Sequence, residues 1–242
     1  MASGHPDWGQ GQASLLLATI SDLGELAARL GSPSTFSRTG NILYQTEFNE
    51  GAVDWTLSPV GTGSSAASVV GGAYRDGVRV RLVSGSTIGN ITSMSKVFIP
   101  PFLTNAGAEA GLAFGSATGL YYLELIGTTG ASGVQAGIRY DLTNRVLQYH
   151  DAANGWTTFA ADVRLFQNAA AYHVFKLTLN LSTLEYVRAL VDNTVYDLSG
   201  IAAYTPASGV FAQVSIQAKV EAQAAANTTL SVDSVFFTIN EP

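Results

Sequence analysis

The chain has 242 residues, enough for one large β domain with a substantial core or for two small ones, and it has no cysteine, which excludes disulfides, thiolate metal sites and thiol nucleophiles. Only 12% of the residues are charged, against about 25% in an average soluble domain. The net charge of −6 is spread over 18 acids and 12 bases in ones and twos, so there is no basic patch for phosphate and nucleic acid is not expected as a partner.

The opening "MASGHPDWGQGQ" has the composition of a solvated arm, yet it carries Trp8 and runs into Leu15, Leu16 and Leu17. Apolar side chains of that size need covering, which predicts an arm docked on a neighbouring subunit. The apolar run at 13–20 is too short for a membrane span and has no basic residue before it, so the chain is expected to be soluble and unprocessed, with no membrane partner. Over Ser21 to Pro33 the periodicity predicts one short helix: Leu23, Leu26, Ala27 and Leu30 form an apolar stripe. Asp22 with Glu25 resembles a capping box, while Gly31 and Pro33 end the helix. The stripe can dock on a partner or on its own domain, and the sequence leaves both open.

From Ile42 onward the pattern is β, with five- to nine-residue apolar alternations broken by Gly, Asn, Asp, Ser and Pro clusters. In "VRVRLV", Val78, Val80 and Leu82 share one face and Arg79 and Arg81 the other. Pro100 and Pro101 end a strand. "AGLAFG" and "YYLELIG" read as a hairpin turning around Ser116 to Gly119, and further strands flank the turns at Asp141 to Asn144 and "DAANG". "YHVFKLTLNLSTLEYVRALVDNTVYDL" reads as a three-strand meander, "QVSIQAKV" has Val214, Ile216, Ala218 and Val220 on one face, and "LSVDSVFFTI" is apolar on both faces. Ten to fourteen strands are predicted after residue 41, which requires two packed sheets.

The chemistry-bearing residues are sparse. Glycosidic hydrolysis needs two facing carboxyl groups, and no strand carries an E-x-D-x-E pattern; Glu124 reads as a lone acid, and Asp141, Asp151, Asp162, Asp192 and Asp197 lie in or beside turns. His5, His150 and His173 lack metal-ligand spacing, and His173 reads as a hydrogen-bonded, half-buried ring. There is no G-x-S-x-G elbow, and "GTGSS" at Gly61 to Ser65 lacks the lysine and helix of a phosphate loop. Sequons at Asn90, Asn180 and Asn227 occur in a chain rich in Ser and Thr and carry little weight. Asp233 reads as sharing a face with Val235, Phe237 and Ile239, where a carboxylate needs a partner. Glu47 is a candidate neighbour, and the two could hold a structural Ca²⁺; hydrogen bonding of Asp233 at a sheet rim is the alternative. No catalytic, cofactor or transition-metal residues are assigned.

The β region resembles a known pattern. "LYQTEFNEGAVDWTL" is similar to the opening F-x-x-G-x-x-x-W strand of concanavalin-like and laminin-G-like jelly rolls. "YHVFKLTLN" resembles their W-H-x-x-x-L strand with Tyr172 in place of Trp, "LEYVRALVDNTVYDL" the following hairpin with Asn193 in place of Gly, and "LSVDSVFFTI" the closing strand. The resemblance implies an all-β, two-sheet antiparallel jelly-roll sandwich over residues 42–242, preceded by an arm with one short α-helix over residues 1–41. The glucanase acid motif is missing. "HPDW" and the stretch from Ala18 to Phe48 resemble the N-terminal region of structural proteins of tailed bacteriophages. That second resemblance implies a virion structural protein without enzymatic activity, made in the host cytoplasm and placed on the particle surface as a capsid decoration or head-surface protein. Its arm and helix (Trp8, Leu15, Leu16, Leu17, Leu23, Leu26, Leu30) would bind the major capsid or other virion proteins and sister copies, as a homo-oligomer such as a trimer. The alternative is a carbohydrate-binding, host-adhesion module of a tail or head fibre, binding host glycans. For that reading, sheets of this fold offer aromatics, here Tyr121, Tyr122, Tyr140, Tyr149 and Trp156, with Tyr122, Tyr149 and Trp156 as the leading glycan-binding candidates.

Overall fold

The computed structural model describes residues 40–242 apart from residues 50, 71–77, 102, 129–131, 170 and 208–211. The arm residues Trp8, Leu15, Leu16 and Leu17 and the helix carrying Leu23, Leu26 and Leu30 lie outside the described residues. Everything described is strand, turn or loop. In chain order the first five strands are β1 (Asn41–Thr46), β2 (Thr56–Val60), β3 (Ser64–Val70), β4 (Val78–Ser84) and β5 (Ile91–Phe98). β6 (Asn105–Phe114), β7 (Leu120–Thr128), β8 (Gly133–Asp141), β9 (Val146–His150) and β10 (Trp156–Ala160) follow. The last five are β11 (His173–Asn180), β12 (Glu185–Val191), β13 (Thr194–Asp197), β14 (Gln213–Glu221) and β15 (Thr229–Ile239).

They form two antiparallel sheets. One runs β13-β12-β11-β6-β15-β4-β3 with β1 also on β15, making eight strands; the other runs β10-β9-β8-β7-β14-β5-β2, making seven. Chain neighbours β2 and β3, β4 and β5, β6 and β7, and β14 and β15 sit in opposite sheets, which is the crossing pattern of a jelly-roll sandwich. The expected meander is present as β11, β12 and β13. Its turns are built by side chains: Asn180 Oδ1 accepts from the amides of Ser182 (2.9 Å) and Thr183 (3.1 Å), and Asp192 takes the left-handed position of the second turn.

Two strand expectations are corrected. β6 and β7 are not a hairpin; the chain changes sheets across residues 115–119, and the two strands face each other through the core with the Phe114 and Tyr121 rings 4.5 Å apart. The local turn residues are the same for a hairpin and for a crossover, so the sequence does not separate them. In β15 the register with β6 slips between Val232 and Ser234, so the core-facing set changes phase from Leu230 and Val232 to Val235, Phe237 and Ile239. Asp233 is therefore the bulged residue rather than a member of the core row.

The core lies between the sheets and is centred on aromatic contacts: Phe114 touches the rings of Tyr121, Tyr140, Phe175 and His173. Burial of each such side chain contributes about 1.5–3 kcal/mol. His173 is held by Asp192, its Nδ1 2.7 Å from Oδ2, and its Nε2 lies 3.0 Å from the carbonyl oxygen of Phe166. Burial works to lower its pKa, but the Asp192 carboxylate outweighs burial and raises it. His173 is thus a hydrogen-bonded structural ring.

Candidate functional site

Strand alternation gives the seven-stranded sheet a second face, pointing away from the core. On β14 the core takes Val214, Ile216, Ala218 and Val220, which leaves Gln217, Lys219 and Glu221 on the other side. On β7 the core takes Tyr121, Leu123 and Leu125, leaving Tyr122 and Glu124. Strand register then lines these residues up. One row crosses all seven strands as Ser58, Ser93, Lys219, Tyr122, Arg139, Gln148 and Thr158. The next row is Thr56, Ser95, Gln217, Glu124 and Gly137, with His150 paired to Trp156 at its far end.

The middle of this face is interlocked and recessed. Glu124 is 0% exposed and Tyr122 2%, although both point away from the core. Lys219 Nζ lies 3.2 Å from Glu124 Oε1 and 3.1 Å from Oε2, and 4.0 Å from the centre of the Tyr122 ring. The Tyr122 hydroxyl donates to Glu221 Oε2 at 2.6 Å and accepts from Arg139 Nη1 at 3.3 Å. Burial, reinforced by the Glu221 carboxylate, pushes the Tyr122 pKa up, so the phenol stays protonated as a donor. Arg139 Nε donates to Gln148 Oε1 at 2.7 Å, and its guanidinium lies 4.5 Å from the Trp156 ring centre. Trp156 in turn meets the Tyr122 ring edge-on at 5.2 Å and the His150 ring at 4.9 Å.

Three local devices place Trp156. The "DAANG" turn is closed by Asp151, whose Oδ1 accepts from the amides of Ala153 and Gly155 and whose Oδ2 accepts from Thr157 Oγ1, each at 2.9 Å. These hydrogen bonds, led by that from Gly155, hold the Asp151 carboxyl below its ordinary range. In the same turn Asn154 adopts a left-handed backbone and its Oδ1 lies 3.0 Å from His150 Nε2. Gly137 supplies the space beneath: a Cβ there would lie 2.8 Å from Glu124 Cγ and 3.2 Å from Trp156 Cη2. Finally, Tyr186 of β12 reaches through the core from the opposite sheet; its hydroxyl accepts from Gly137 N at 2.9 Å and donates to His150 O at 2.7 Å. It stands where the β8–β9 ladder, which pairs Ile138 to Asp141, has no further bonds.

The structure separates the aromatic candidates. Tyr121, Tyr140 and Tyr149 point to the core side, and Tyr149 packs at 5.7 Å on Tyr186, so Tyr149 does not join the outer face. Tyr122 is on that face but buried under Lys219 and Arg139, which makes it a support rather than an exposed platform. Trp156 is half-buried at the rim of the cluster. Glu47 lines a cleft of about 580 Å³ together with Tyr44, Thr46, Asn49 and Asp54, and Asp233 is not among its lining residues. Among the described residues no group of three or more acids or histidines is placed to hold a metal ion. Asp54 is tied to Lys96, whose hydrogen bond lowers its pKa. A second cleft, of about 290 Å³, is lined by Tyr140, Leu142, Arg145 and Arg164. Neither cleft brings together a buried carboxylate, a cation and a tryptophan, as the sheet face does.

Glu124, Lys219, Arg139, Gln148, Glu221 and His150 were not singled out from sequence as site residues. The usable signal was period two: "YLE" and "QAKVE" place Tyr122 with Glu124, and Gln217 with Lys219 and Glu221, opposite an apolar face. Nothing local told that Glu124 and Lys219, 95 residues apart in the chain, are neighbours.

Comparison with known proteins bears on fold. No protein-family model matches the sequence, and no curated protein matches it. Among solved structures, the cellulose-induced protein Cip1 is 13% identical with a TM-score of 0.58, covering 81% of this chain and 96% of its own. The carbohydrate esterase vb_24B_21 of the Shiga toxin-encoding bacteriophage phi24B is 14% identical with a TM-score of 0.54, covering 84% and 100%. The carbohydrate recognition domain of Emp47p follows at 11% identity and 0.49, covering 77% and 89%. The expectation of a chain without enzymatic activity is corrected by the second of these: a protein described as an esterase has this fold over its full length. That expectation came from the resemblance to phage structural proteins, supported by the absence of paired acids within one strand; acids of separate strands, Glu124 of β7 and Glu221 of β14, do share this face. At these identities the likenesses establish architecture, and the chain is a two-sheet antiparallel, concanavalin-like jelly-roll sandwich.

Proposed function

We propose that the outer face of the seven-stranded sheet engages carbohydrate, with Trp156 contacting a sugar ring, Lys219, Arg139, Gln148 and Gln217 addressing its hydroxyl groups, and the buried Glu124 holding Lys219 in place. The observation that carries this reading is the fully buried Glu124 carboxylate, ion-paired to a half-buried Lys219 on an outward face beside a half-buried tryptophan. Desolvating an ion pair is unfavourable unless the geometry is excellent, and an outward strand face offers water as an easier alternative. Polar side chains fixed beside an aromatic ring are what a sugar, with its apolar C–H faces and its hydroxyl rim, requires. The reading is also supported by the fold, which a protein described as a carbohydrate esterase shares.

In the fuller form of the proposal the chain is an adhesion module on the surface of a phage particle, with residues 1–41 joining it to virion proteins or sister copies. Support for that part comes from the resemblance of the N-terminal region to tailed-phage structural proteins and from the low charge of the chain. The test is a glycan array probed with the protein and its Trp156→Ala variant, with released product assayed on each ligand bound. Binding that falls tenfold or more in the variant is the expected result. Binding that the variant keeps in full, or no binding to any glycan, overturns the reading.

A further inference from the structure

The two cations of the sheet face differ in their partners. Lys219 sits against the Glu124 carboxylate. Arg139 has no carboxylate within ion-pair distance among the described residues and meets two neutral oxygens instead, Gln148 Oε1 and the Tyr122 hydroxyl. The acids nearby are already engaged, Glu124 by Lys219 and Glu221 by the Tyr122 hydroxyl. A guanidinium has five N–H donors; Nε uses one and Nη1 another, which leaves three with no acceptor among the described residues. Arg139 is half-buried, stacked on Trp156 and braced by Gln148, so its orientation is set before anything binds. A charged fork held rigidly, short of acceptors, in a chain of net charge −6, is not part of a general basic surface.

We propose that the ligand of this face is an acidic glycan, and that a sugar carboxylate or sulfate seats on the remaining N–H groups of Arg139. The proposal rests on the reading of the face as a carbohydrate site and adds the charge of the sugar. An oxyanion supplies the acceptors that Arg139 lacks, and a planar guanidinium suits its two oxygens. Because the fork is preorganised, little ordering cost opposes the contact. Trp156, sharing its ring with Arg139, places the sugar next to the charge.

The test compares matched ligands on the full chain: oligogalacturonate and its carboxyl-reduced counterpart, and a sulfated oligosaccharide and its desulfated counterpart. Wild-type protein should bind an acidic member at least tenfold more tightly than its neutral counterpart, with affinity falling as salt is raised. Arg139→Gln should abolish that preference in a chain that still folds and melts cooperatively at a slightly lower temperature, and Arg139→Lys should restore only part of it. The wild-type comparison needs no variant, so a folding defect cannot hide the answer. Equal affinity for acidic and neutral members, with Trp156→Ala still abolishing binding, would overturn the inference and leave the carbohydrate reading standing. An acid preference that survives in Arg139→Gln would remove Arg139 from the site. No binding by any member would take down the inference together with the reading it rests on.

Discussion

Each sheet carries a cluster of buried charges, and the two are built differently. On the eight-stranded sheet Glu241 accepts from Lys176 Nζ at 2.7 Å, from Arg188 Nη2 at 2.9 Å and from Thr238 Oγ1 at 2.6 Å. Glu109 stands 3.8 Å from the same lysine. Acids and bases there pair with one another, buried Phe236 stands beside Glu109 in the same row, and the cluster ties β15, β11 and β12 together. On the seven-stranded sheet the charges alternate with Tyr122 and Trp156, and one cation, Arg139, faces neutral oxygens. The first set pairs acid with base and clasps strands, whereas the second holds a guanidinium whose remaining donors have no acceptor among the described residues, which equips it for a ligand.

Breaking the first cluster should hurt stability most. Glu241→Ala takes from the buried Lys176 its carboxylate at 2.7 Å, and loss of one partner of a buried pair costs about 3–5 kcal/mol; denaturant unfolding should show that drop, and glycan affinity of the folded fraction should not change. In the second cluster the balance reverses. Glu124→Gln leaves Lys219 without its counter-ion but with a route to solvent, since its side chain is 17% exposed. A stability loss of about 1–3 kcal/mol is expected, alongside a tenfold or larger loss of glycan binding in calorimetric titration. Gly137→Ala should act mainly through geometry: the added methyl meets Glu124 and Trp156, so binding falls several-fold while unfolding shifts by about 1–2 kcal/mol.

The smallest effect belongs to a site outside both clusters. His173 has a raised pKa, so the stabilisation from its charged ring is fully present below about pH 6.5, the unfolded value, and is lost as pH rises through the folded value. Asp192→Asn should therefore destabilise the protein by about 1 kcal/mol in acid to neutral solution, and the gap from wild type should narrow in alkaline solution. A gap that widens with pH would show that the imidazolium is not the stabilising form.

The architecture was legible because its signals are local. Alternation in "VRVRLV" and "QVSIQAKV", and the turn residues Asn180 and Asp192, each specify a strand or turn within a few residues. What was not legible depends on register or long range. The crossover between Phe114 and Leu120 uses the same turn residues as a hairpin, and the bulge at Asp233 has no marker in "LSVDSV". The site was hidden most deeply, because Glu124, Lys219, Arg139 and Trp156 come from four strands whose order only the folded sheet reveals. Reading each acid within its own strand made Glu124 look solitary, and that step reinforced the exclusion of enzymatic activity drawn from the resemblance to phage structural proteins.

The central claim, that sugar meets the outer face of the seven-stranded sheet, is most directly tested by the indole N–H resonances of the protein during titration with the oligosaccharides. The chain has three tryptophans, and the described pair are well separated in role: Trp55 is buried and donates to the Tyr44 hydroxyl, while Trp156 stands at the rim of the candidate site. The account predicts a saturable shift of the Trp156 resonance with that of Trp55 unmoved. A ligand that binds and shifts Trp55 while leaving Trp156 in place would contradict it.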